Sequence, residues 1–201
     1  MTTRLVLATR NAHKVTELRA ILAAAGLDHE LVGADAYPEI PDVKETGITF
    51  AENALLKARA LADATGLPAI ADDSGLCVDV LGGAPGIFSA RWAGRHGDDA
   101  ANLDLLLAQL GDIEHPHRAA HFACAAALAL PDGTTRVVEG RLRGTLRHAP
   151  AGTGGFGYDP ILQPDGEERT CAELTAEEKN AISHRGQAFR ALTPLLTDLL
   201  P

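Results

Sequence analysis

The chain opens on an apolar run, Arg4 to Ala8, that fits a buried strand, followed by a polar connection from Thr9 to His13. From Lys14 to Ala25 the apolar residues Val15, Leu18, Ile21, Leu22 and Ala25 fall at helical spacing, and Gly26 suits the stop. Leu31 and Val32 predict a second strand, and Tyr37 to Gly47, with its prolines and acids, a loop. A second helix is predicted from Thr49 to Thr65: Thr49 and Glu52 make a capping-box pattern, and Gly66 and Pro68 end the helix.

Ala69 to Ala71 reads as a strand ending in Asp72-Asp73-Ser74-Gly75, where an Asx-type turn would close it. Leu76 to Leu81 is apolar again and Gly82 to Gly86 is turn-rich. Ala100 to Leu110 reads as a helix closed by Gly111. Ala119 to Leu130 and Thr135 to Leu146 read as two long strands joined by the hairpin signal Pro131-Asp132-Gly133. Ala149 to Asp159 is Gly-rich and irregular. From Thr175 the chain is helical with an interruption, and Pro194 predicts a kink or break. Interleaved strands and helices predict an α/β fold, and the hairpin makes its sheet mixed.

The net charge of −9 argues against a general nucleic-acid binder, yet leaves room for a small anion held by local cations, helix N-termini or a metal. The three cysteines, Cys77, Cys124 and Cys171, give neither a disulfide framework nor a metal pattern, and fit reduced thiols in a cytoplasmic protein. No signal-peptide pattern precedes the first strand, and the longest apolar stretch, Phe122 to Leu130, is too short to span a bilayer, so no membrane partner is expected. Aromatic residues make up only 4%, so Ala, Leu, Val and Ile must build the core.

Five segments could carry chemistry. Thr9-Arg10-Asn11-Ala12-His13-Lys14 lies between a strand and a helix, where free N–H groups, the helix dipole and Lys14 favour an anion; it is otherwise an ordinary loop with Asn11 as N-cap. Glu45 precedes a helix carrying Asn53 and Lys57 one turn apart; a loop carboxylate can hold a divalent ion, or all three are solvated polar positions. Asp72 and Asp73 end an apolar strand and point to opposite sides, which predicts different jobs. One can ligate Mg²⁺ or deprotonate a water, while Ser74 can donate to a phosphate. In the Gly152 to Pro160 loop the glycines allow close backbone approach, Phe156 could face a base, and Asp159 could bond a base edge or sugar; the alternative is a loop pinned to the core by Phe156 and Tyr158. In an unbroken helix Lys179 and His184 would lie on different sides, whereas a break at Ser183 would let Lys179, His184 and Arg185 surround a ligand.

Taken in order, these segments resemble the Ham1/inosine triphosphatase family. The resemblance rests on Thr9-x-Asn11-x-x-Lys14; Glu45-Thr46-Gly47 with Phe50-x-Glu52-Asn53-Ala54 and Lys57; Ala71-Asp72-Asp73-Ser74-Gly75-Leu76; Pro85-Gly86 with Ser89-Ala90-Arg91; Gly154-Gly155-Phe156-Gly157-Tyr158-Asp159-Pro160; and Glu178-Lys179 with Ser183-His184-Arg185. It implies one inosine triphosphatase-like domain over residues 1–201, elongated and two-lobed with a central cleft, whose mixed twisted sheet is flanked by helices, and a homodimer. It implies Mg²⁺-dependent hydrolysis of non-standard purine triphosphates (ITP, dITP, XTP) to monophosphate and pyrophosphate, with Asp73 as proton acceptor and Glu45 and Asp73 as metal ligands. Thr9, Arg10, Asn11, Ala12, His13, Lys14, Lys57 and Ser74 would then serve the phosphates, and Asp72 is a secondary candidate. Phe156, Gly157, Tyr158, Asp159, Lys179, His184 and Arg185 would line the base and sugar pocket. Ser89-Ala90-Arg91 is expected to be structural. His13 stands where the family usually has glycine; if that position needs a positive φ, His13 is strained. Two other functions fit the same residues: a catalytically silent nucleotide sensor, and a pyrophosphatase for other modified nucleotides.

Overall fold

In a computed structural model, which describes residues 4–10, 12–24, 26 and 30–200, the chain is a mixed α/β protein. The strands are β1 (Arg4–Leu7), β2 (Glu30–Gly33), β3 (Ala69–Val78), β4 (Ala119–Ala129), β5 (Thr135–Leu146) and β6 (Leu162–Pro164). The helices are α1 (Ala12–Ala24), α2 (Phe50–Thr65), α3 (Asp99–Gln109), α4 (Ala176–Ile182) and α5 (His184–Leu199). The sheet order is β2-β1-β3-β4-β5-β6, with β1 parallel to β2 and β3, and β5 antiparallel to β6.

The chain forms two compact units. The first comprises Met1–Asp73, Cys124–Gly140 and Arg185–Pro201. Here period-two alternation assigns each strand residue to one of two cores. Leu5, Leu7 and Ile70 pack with Leu18, Ile21 and Leu22 of α1 and with Phe189, Leu192 and Leu196 of α5. Val6, Ala69 and Ala71 pack with Ala54, Ala58, Leu61 and Ala62 of α2 and with Ala125, Ala127 and Ala129 of β4. This second layer is built largely of alanine, so little side-chain volume separates α2 from the sheet.

The second unit comprises Ser74–Ala123 and Arg141–His184. Its core gathers Leu76, Val78, Leu103, Leu106, Phe122, Leu146, Tyr158 and Ile161. Arg118 is buried there without a carboxylate on its hydrogen bonds: its guanidinium donates to the carbonyls of Leu110, Ile113, Leu146 and Arg147. It thus adds donors to carbonyls at and just beyond the ends of α3 and β5.

Most predicted elements are present, with informative departures. The second helix is capped as expected, Thr49 Oγ1 accepting from Glu52 N, and Gly66 ends it at φ 67°. Only half of a capping box forms, because the Glu52 carboxylate accepts instead from Ile48 N at 2.7 Å. The first helix starts earlier than Lys14, at Ala12, so the backbone of His13 is right-handed helical and the feared strain does not arise. β3 does not end at the aspartates but runs ten residues through them, which rules out a closing turn at Gly75. The C-terminal helical region breaks at Ser183, whose ψ of 149° caps α4, and α5 continues through Pro194 to Leu199. The three cysteines are free thiols. Among the described residues, no helix is long and apolar enough to cross a membrane.

Candidate active site

β3 carries two adjacent aspartates into the first unit's two layers. Asp72 continues the row of Ile70, towards α1 and α5, and its Oδ2 accepts from Lys14 Nζ at 3.0 Å and Arg185 Nε at 3.2 Å. Arg185 is itself buried. Burial opposes the Asp72 charge, but Lys14, Arg185 and the more distant Lys57 outweigh it and hold the carboxyl well below the usual range. Asp72 is therefore a fixed anion matched by two cations.

Asp73 continues the row of Ala69 and Ala71, towards α2. Its Oδ1 lies 3.3 Å from Lys57 Nζ, and its Oδ2 accepts from Asn53 Nδ2 at 3.2 Å. Lys57 Nζ also donates to Glu45 Oε1 at 2.8 Å, so one ammonium bridges two carboxylates. Burial pushes the Asp73 carboxyl up and Glu45 adds to this; Lys57 and the Asn53 bond pull it back without cancelling the rise. For Lys57, burial disfavours the charge, yet Asp73, Asp72 and Glu45 prevail and raise its pKa. Glu45 and Asp73 thus offer hard oxygen donors around a single cation. A divalent ion with one or two protein carboxylates, waters and substrate phosphates as ligands suits that donor set. Lys57 and Asn53 were open to reading as a solvated helix face; Asn53 is instead fully buried and Lys57 largely so.

In the second unit the Gly-rich loop is organised by Asp159. Its Oδ2 accepts from Phe156 N at 2.8 Å and Lys179 Nζ at 2.6 Å. Gly155 has φ 71°, and a Cβ there would lie 2.1 Å from the same oxygen, so glycine is required. Phe156 is 43% exposed, with Lys179 Nζ 5.2 Å from its ring centroid. Gly157 N donates to Asp99 Oδ2 at 3.0 Å. The Tyr158 ring is in the core, and its hydroxyl donates to Ser89 O. Ser89 Oγ accepts from Leu76 N and donates to Gly86 O, so Ser89 ties the segment to β3.

The remaining predicted residues are placed as follows. Thr9 and Ser74 are partly buried. Arg10 reaches the loop before α2, donating to Ile40 O at 2.6 Å and pairing with Asp42 at 3.3 Å. Asn11 lies outside the described residues, and of Ala12 and His13 the backbone alone is described. His184 is buried and stacked on Phe122, ring centroids 4.9 Å apart. Sequence reasoning passed over Asp99, and gave Asn53 no role. The signal for Asn53 was a single amide in an otherwise Ala-Leu stripe of α2, at the spacing of Ala54, Ala58 and Leu61.

A model of the Ham1 family matches residues 5–195. A dITP/XTP pyrophosphatase of Streptomyces coelicolor is 85% identical over 198 residues, covering 98% of this chain and 99% of its own. One of Frankia alni is 60% identical over 202 residues, covering 98% of each. Among solved structures, that of a nucleoside-triphosphatase, or dITP/XTP pyrophosphatase, from Mycobacterium abscessus is 53% identical with a TM-score of 0.79, covering 95% of this chain and 99% of that one. A HAM1 protein from Coxiella burnetii is 42% identical with a TM-score of 0.89, covering 98% and 100%. With sequence and fold matched over nearly its whole length, the chain belongs to the Ham1 family.

Proposed function

We propose that this protein hydrolyses non-standard purine nucleoside triphosphates such as ITP, dITP and XTP to monophosphate and pyrophosphate, with magnesium. The observation that carries the reading is Lys57 Nζ between Glu45 and Asp73: two largely buried carboxylates converge on one cation, beside a strand whose neighbouring Asp72 is itself paired with Lys14 and Arg185. The names of the near-full-length relatives support the substrate class.

Glu45 and Asp73 would hold the metal, which when bound neutralises triphosphate charge and polarises the phosphoryl oxygens. Asp73 accepts the proton of a water as its oxygen forms a bond to the α-phosphorus. The bond from that phosphorus to the β-bridging oxygen breaks, and pyrophosphate leaves. Lys57 keeps the Asp73 carboxylate oriented, and Lys14 supplies positive charge towards the phosphates. The exposed face of Phe156 stacks on the base, held at its backbone by Asp159. No covalent enzyme intermediate forms; positioning and electrostatics supply the rate.

The test is pyrophosphate release from ITP, dITP, XTP, dGTP, dATP and dTTP, each with Mg²⁺ and with EDTA. Metal-dependent release from the first three is expected. Binding of ITP without release would replace this reading with that of a silent sensor, and a preference for dTTP or other pyrimidines would move the substrate class.

A further inference from the structure

The buried amide of Asn53 joins two parts of the site that are distant in sequence. Its Nδ2 donates to Asp73 Oδ2 at 3.2 Å, and its Oδ1 accepts from Gly47 N at 2.8 Å. Gly47 lies two residues after Glu45. Neighbouring bonds fix the same stretch: Ile48 N donates to the Glu52 carboxylate, and Thr49 Oγ1 accepts from Glu52 N. Side chain and loop are closely fitted. A Cβ on Gly47 would lie 2.7 Å from Asn53 Oδ1 and 2.6 Å from Glu52 Cβ. An amide fully removed from water at this point meets its hydrogen-bonding need with one bond to the strand and one to the loop.

We infer that Asn53 is the positioning residue of this site: one amide sets both the orientation of the Asp73 carboxylate and the distance of the Glu45 loop from it. The inference rests on the reading of Glu45 and Asp73 as metal ligands and of Asp73 as proton acceptor. Aspartate at this position would return the oxygen for Gly47 but repel Asp73; leucine keeps the number and branching of the side-chain heavy atoms and removes both bonds. Asn53 touches the reacting carboxylate and not the nucleotide, so its loss acts on kcat more than on KM.

Two variants separate this from a purely structural role. Asn53→Leu is expected to lower kcat for ITP at saturating Mg²⁺ by about 100-fold, the scale of a 1 Å misplacement, with KM changed less than about threefold. Gly47→Ala keeps the Asn53 and Asp73 side chains, while its Cβ, too near Asn53 Oδ1 and Glu52 Cβ, forces the Glu45 loop away from Asn53; it is expected to weaken Mg²⁺ binding, read by calorimetry without nucleotide, by about 10-fold or more. Thermal unfolding and circular dichroism report whether each variant is folded. A folded Asn53→Leu protein with wild-type kcat overturns the inference. If that variant does not fold, Gly47→Ala decides, and unchanged Mg²⁺ affinity in it overturns the inference. A wild-type protein that binds Mg²⁺ but releases no pyrophosphate overturns the proposed function instead, and the calorimetric comparison still judges Asn53.

Discussion

Asp72 and Asp73 are consecutive in β3 yet are neutralised from opposite faces, Asp72 by Lys14 and Arg185 and Asp73 by Lys57. The pleat of the strand imposes the separation, and the helices on each side supply different cations. One carboxyl is driven well below its usual range and the other above it, a divergence that assigns them different tasks.

Asp73→Asn keeps the size and the possible bond from Asn53 but cannot take a proton. Pyrophosphate release from ITP is expected to vanish while calorimetry still detects ITP binding. Turnover near wild type in this variant would remove Asp73 from the mechanism.

Asp72→Asn is expected to act on stability. It leaves Lys14 and the buried Arg185 without their anion, a loss of roughly 3–5 kcal/mol for a broken buried pair. The sign of its pH dependence follows from the depressed folded pKa. The stabilisation is complete above the ordinary carboxylate value of 3.8 and is lost as pH falls below it towards the folded pKa. Urea unfolding in EDTA should show a constant gap between the two proteins from about pH 5 to 8, narrowing below about pH 4. A gap that stays constant into the acid range would contradict the assignment.

Phe156→Ala removes an exposed ring, so the unfolding temperature should hardly move. If the ring stacks on the base, kcat/KM for ITP falls by about 5- to 150-fold, the equivalent of about 1–3 kcal/mol. An unchanged kcat/KM would leave Phe156 as a loop ornament held by Asp159 and Lys179.

Local signals in the sequence were accurate where the cause is local. Thr49 and Gly66 bracket α2 because a side-chain oxygen and a left-handed glycine satisfy helix ends whatever lies beyond. Pro131-Asp132-Gly133 makes its turn with Asp132 Oδ1 accepting from Thr134 N. The misread segments depend on distant partners. Asp72-Asp73-Ser74 reads as a strand end because an Asx-type turn at Gly75 would close it, yet Lys14, Lys57 and Arg185 arrive from other elements and let β3 continue. At Pro194, where the sequence predicts a kink or a break, no break forms: α5 runs through it, with Leu192 and Leu196 buried in the core on either side. The three-residue β6 exists by pairing with β5, which no pattern of its own announces. For the site, the motif residues were identifiable but their partners in the fold were not: the Tyr158 hydroxyl donates to Ser89 O, and Arg185 Nε to Asp72.

The alanine layer under α2 works as a gauge block. Ala54, Ala58 and Ala62 meet Ala69, Ala71 and Ala125, and the same helix carries Asn53 and Lys57 to Asp73. The hydrogen-bond lengths at Asp73 are therefore set by the thickness of the layer beneath them. Extra methyl groups there, as in Ala58→Val, cost about 1–3 kcal/mol by overpacking, which a domain can survive. Lifting α2 by even 1 Å would cost about 100-fold in rate. The assay would register the change while the fold still stood, making catalysis a finer measure of this core than melting.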